Sequence, residues 1–108
     1  MALEITSVGS AKLIISGTTT ELASIYSRIE FALPKNGETM QGGLYSYATK
    51  TEYTTTPDSL LKLDDFLTNY TVAIDVAGGQ EQSLQTGHEG IKTQLEAEGY
   101  TVLIVDLP

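Results

Sequence analysis

The chain has no cysteine, which excludes disulfides and thiolate metal sites outright. It has one histidine, His88, so His–His metal spacing and relays through a second imidazole are excluded too. Basic residues are scarce: six Lys and Arg against fourteen Asp and Glu leave a formal charge of −8 at pH 7. That sign repels phosphate backbones, so no nucleic-acid partner is expected. The imbalance is concentrated in residues 57–108, with nine acids and two bases, whereas residues 1–56 carry five and four. Long apolar runs are missing as well. The longest, Val102 to Val105, is far too short to span a bilayer, and Met1 to Ile5 lacks the basic start of a signal peptide. A protein of the cytoplasm or of a virion, without membrane partners, is the expectation. Neither a P-loop nor a Gly-x-Gly-x-x-Gly fingerprint occurs, so no cofactor and no metal are expected.

What is present suits a single domain spanning residues 1–108, long enough to hide about 65% of the unfolded surface. Leu3 to Val8 alternates apolar and polar residues, and a short apolar run follows from Ala11. Gly9-Ser10 between them fits a two-residue hairpin turn. Leu22, Ile25, Tyr26, Ile29, Ala32 and Leu33 fall on one face of a helical period, after a Thr18-x-x-Glu21 capping spacing and before Pro34. The rival, a strand with Ile29, Phe31 and Leu33 on one side, explains fewer positions. Leu44 to Thr55 places Tyr45, Tyr47 and Tyr53 on one side of a polar, edge-like strand.

Thr56-Pro57-Asp58 opens a second helix with Leu60, Leu63 and Leu67 as its stripe, ending at Asn69. Tyr70 to Val76 reads as a buried strand. The last helix carries Leu84, His88, Ile91 and Leu95 on one face, with Thr86 and Glu89 at capping-box spacing and Gly99 at its end. Tyr100 to Asp106 closes the chain. Tyr70-Thr71-Val72 and Tyr100-Thr101-Val102 lie 30 residues apart, the length of a βαβ unit. The expected fold is therefore α/β, β-β-α-β-α-β-α-β. Its sheet is mixed and mainly parallel, of about five strands, with three packing helices and an N-terminal β-hairpin; an α+β arrangement is the alternative.

In such a sheet ligands gather beyond the carboxyl ends of the strands. That rule nominates Gly17, Thr18, Thr19, Asp75, Gly78 and Gly79 for a small anion or nucleotide, although threonine caps and strand-exit glycines explain the same residues structurally. His88 shares an apolar face and reads as a core residue. Tyr45, Tyr47 and Tyr53 suit an interface, because tyrosine offers wide contact area at low entropy cost. The favoured reading is a non-enzymatic structural or protein-interaction domain. It would self-associate as a homo-oligomer through the Tyr45–Tyr53 strand or its edge, and its Thr, Gly and Ala content is compatible with a viral particle component. The alternatives are the small-ligand domain and an acidic decoy for a basic protein.

Overall fold

The computed structural model describes residues 1–32, 39–64, 66, 68–73 and 79–106, with residues 79–83 described as backbone only. Their elements run β1 (Ala2–Thr6), β2 (Leu13–Ile14), β3 (Glu21–Leu22), β4 (Ser24–Ala32), β5 (Thr39–Tyr47), α1 (Lys50–Thr55), β6 (Asn69–Ala73), α2 (Gly79–Ala97) and β7 (Thr101–Val105). Five strands form a curled sheet in the order β6-β5-β4-β1-β7, antiparallel at every contact. The mainly parallel α/β sheet is thereby overturned. β6 and β7 do run the same way, but they occupy opposite edges, and α2 crosses the face between them. The reason lies in β4 and β5, two nine-residue strands adjacent in sequence. They pair over seven positions from Tyr26↔Tyr47 to Ala32↔Gln41. Such sequence-near pairing costs little loop entropy, and with β1 it fills every slot between the edges.

The helix expected over residues 22–33 is β4 instead. Ile25, Ser27, Ile29 and Phe31 alternate toward α2, while Tyr26, Arg28, Glu30 and Ala32 face the other way. β-Branched and aromatic residues favour this outcome once partner strands exist on both sides. The Thr18–Glu21 box does not form: Thr18 Oγ1 donates to the Ile15 carbonyl (2.8 Å), and Glu21 pairs with Lys12 (3.1 Å). Gly9-Ser10 does make a tight turn, with Val8 and Ala11 exchanging backbone bonds of 3.0 and 2.9 Å. Pairing ends there, because β1 is committed to β4 and β7, and Leu13–Ile14 pairs with β3. The expected N-terminal hairpin thus reduces to its turn.

Two further expectations fail in the middle of the chain. The strand over 44–55 stops at Tyr47, and the side chain of Thr49 caps α1 by accepting from the Glu52 amide (3.1 Å). Where a helix was expected from Pro57 to Asn69, the described residues form none. Leu61 N–H donates to the Ser46 carbonyl and Leu44 N–H to the Thr68 carbonyl, each at 2.8 Å. This segment supplies the backbone partners that β5 needs where β6 no longer reaches it. Leu61, Leu63 and Phe66 close the end of the core. Ile74 to Val76, expected to extend β6, lie outside the described residues.

The C-terminal third follows expectation more closely. α2 starts seven residues before Thr86, so the Thr86–Glu89 spacing is interior to it. His88, Ile91 and Leu95 are buried against the sheet, whereas Leu84, expected on the same face, is exposed, and Gly99 ends the helix at φ +108°. The core beneath α2 is built from Leu3, Ile5, Ile25, Met40, Val72 and Val102, with Leu13 and Tyr100 at the end closed by the β2–β3 hairpin. No helix among the described residues is long and apolar enough to cross a membrane.

Candidate interaction face

The sheet face opposite α2 collects four of the chain's six tyrosines. Strand alternation sends Tyr26, Arg28 and Glu30 of β4 to this side, and the register sets Tyr26 against Tyr47 and Arg28 against Tyr45. α1 then lays Tyr53 across them. The Tyr53 ring lies 5.2 Å from that of Tyr47, edge-on, and 5.8 Å from that of Tyr26. Arg28 Cζ stands 5.1 Å from the Tyr53 centroid, within cation–π range.

The supporting contacts hold these rings in place. Tyr47 is buried, and its hydroxyl donates to the Pro57 carbonyl at 2.7 Å. The Tyr26 hydroxyl donates to Asp106 Oδ2 at 2.6 Å, and Lys50 Nζ donates to Asp106 Oδ1 at 2.7 Å. Asp106 adopts φ +54°, the left-handed conformation that aspartate tolerates better than most residues. Here the chain leaves β7, and the carboxylate joins its end to both β4 and α1. The bonds from Lys50 and Tyr26 hold the Asp106 carboxyl below the usual aspartate range. Burial, reinforced by Asp106, pushes the Tyr26 phenol up.

Tyr45 is the exposed member of the group, at 40%. With Arg28, Ile29, Glu30, Tyr47 and Tyr53 it lines a cleft of about 150 Å³. Arg28 forms no salt bridge among the described residues. An acidic protein thus presents a cation here, backed by aromatic rings.

The sequence pattern accounts for only part of this face. Tyr45 and Tyr47 do share one side of a strand, but that strand is interior, paired to β4 and to β6. Tyr53 reaches the same place from α1. Tyr26, Arg28, Lys50 and Asp106 were not anticipated. One signal was available: Thr49-x-x-Glu52 has the capping-box spacing that marks the start of α1.

The nominated ligand residues that are described fall at two separate places. Gly17, Thr18 and Thr19 occupy the loop between β2 and β3. The base of that hairpin meets the C-terminal end of α2, where Ala11 lies against Gly99 and the Tyr100 hydroxyl donates to the Lys12 carbonyl (3.3 Å). Gly79 begins α2, about 28 Å away along the helix axis at 1.5 Å per residue. Asp75 and Gly78 lie outside the described residues. A larger cavity of about 450 Å³ opens beside the hairpin, lined by Lys12, Asp64, Glu98 and Tyr100 among others, and it contains none of the nominated residues. No group of three or more metal-ligating side chains occurs among the described residues. Comparison of the chain with known protein families, curated proteins and solved structures finds no match.

Proposed function

We propose that this chain is a non-enzymatic protein-interaction domain whose contact face is built on Tyr45, Tyr53 and Arg28. The observation that supports this reading is the gathering of three tyrosines and an arginine from two strands and a helix around one cleft. Tyrosine and arginine are the residue types enriched where interface energy concentrates. The buried Tyr47 and the bonded Tyr26 hold their neighbours in position, so little side-chain entropy is left to lose on binding. The Arg28 guanidinium suits a partner segment that presents carboxylate or carbonyl oxygens.

A photoreactive amino acid placed at position 45, in the protein's native cellular setting, tests the reading. The expected result is one adduct of defined mass that disappears when Arg28→Ala is added. Crosslinking from the exposed Thr93 of α2 is the control. An adduct pattern identical at the two positions would refute the assignment of the face.

A further inference from the structure

The second surface that stands out is β7. It pairs with β1 over all five residues, from Ala2↔Val105 to Thr6↔Thr101, without a bulge. Among the described residues no strand follows on its other side and no backbone bond reaches it there. α2 packs beside both edge strands, but at β6 it also reaches the strand's backbone: Gln94 Nε2 donates to the Thr71 carbonyl at 3.1 Å. Proteins blunt open edges with lysine, proline, bulges or inward-pointing charge. β7, Thr-Val-Leu-Ile-Val, has none of these. At its midpoint Leu103 is 56% exposed, more than any other large hydrophobic side chain described.

We infer that β7 is a homodimerisation edge, joining to β7 of a second copy in antiparallel register about a two-fold axis through Leu103. The occupant follows from the strand's own pattern. Centred on Leu103, antiparallel pairing sets Val102 against Ile104 of the second copy, and Thr101 against Val105. All five positions are used, and no charge opposes another. Val102 and Ile104 face the α2 side in both copies, so the two cores become continuous, while the two Leu103 side chains cover each other on the opposite face. A slip of one residue would reverse the faces. A surface complementary to itself closes as a two-fold pair and leaves no further edge of this kind.

Five paired residues a side fall short of the area that stable dimers bury. The dissociation constant is therefore expected in the range of about ten micromolar to one millimolar. Each copy carries a formal charge of −8, so added salt should tighten the dimer by screening the repulsion.

Sedimentation equilibrium of the full chain between micromolar and millimolar concentration, at low and high salt, gives the test. The expected outcome is a monomer–dimer equilibrium that strengthens with salt, with amide exchange at residues 101–105 slowing as concentration rises. Leu103→Lys, at an exposed position, should keep the circular dichroism of the native chain and remain monomeric throughout. Tyr45→Ala should dimerise as the native chain does, which separates this edge from the tyrosine–arginine face. A monomer at millimolar concentration and high salt overturns the inference. A dimer that survives Leu103→Lys, or that is lost with Tyr45→Ala, overturns it equally and moves self-association elsewhere.

Discussion

Gly90 of α2 lies against Val72 of β6 so closely that a Cβ at position 90 would stand 2.5 Å from Val72 Cγ1. Helix propensity alone favours alanine there by about 1 kcal/mol. Overpacking against a stiff β-branched side chain costs about 1–3 kcal/mol, so the contact outweighs the propensity. Gly90→Ala is expected to destabilise the protein in urea denaturation. Combined with Val72→Ala, the cost should be at least 0.5 kcal/mol below the sum of the two single changes, the lower end of coupling between touching residues. Simple additivity would show that the helix has room to move away.

A second prediction concerns acid stability. His88 is only 4% exposed, and its Nδ1–H donates to the Leu84 carbonyl at 2.8 Å. Among the described residues the buried Nε2 has no hydrogen-bond partner, and the ring packs edge-on against Phe31. Burial lowers its pKa, and the positive charges of the N-terminus and Arg28 act in the same direction, outweighing the Leu84 bond and the nearby Met1 backbone, which oppose it. Unfolded histidine protonates near pH 6.5. Below that, and above the folded pKa, the unfolded chain binds more protons. Stability therefore rises with pH through this window and is lost on acidification below about 6.5. Melting temperatures at pH 7.5 and 5.5 should show the drop, and His88→Leu should reduce it. An unchanged drop in that variant would assign the effect to other groups.

A third prediction lies in the same layer. The Ser27 and Ser46 hydroxyl oxygens are 2.9 Å apart on the α2 side of β4 and β5, both buried. Removing one strands the other, at a cost of about 1–3 kcal/mol. Ser27→Ala and Ser46→Ala should each destabilise, whereas the double variant should recover much of the loss. A denaturation cycle measures this directly. Costs that simply add would mean that each hydroxyl finds a substitute partner.

The parts of the fold legible in the sequence are those decided within a few residues. Gly99 stops α2 because it takes up a positive φ where the helix ends, and the Lys92–Glu96 pair forms at 3.7 Å as i,i+4 spacing dictates. The Gly9-Ser10 turn closes on itself. The interface candidates were legible as residue types but not as a surface. Tyr45 and Tyr47 carry a period-2 signal, whereas Tyr53 joins them only because Thr49 turns the chain into α1.

The remainder depended on partners far away in the chain. Residues 24–32 satisfy a helical and an extended period together, and the choice fell to the strands that flank them, β1 and β5. The leucines of 60–63 have a helical stripe, yet their segment is drawn out by the Ser46 carbonyl, which accepts from the Leu61 N–H, and by the bridge from Leu63 to Ile15. Local chemistry by itself determined the Gly9-Ser10 turn, the stop of the last helix at Gly99 and the apolar character of β7. Tertiary structure decided which strand meets which, and therefore which edge stays open. The physical reason is that a strand's backbone bonds are completed by residues such as Ala2 and Val105, at opposite ends of the chain, whereas a helix completes its own.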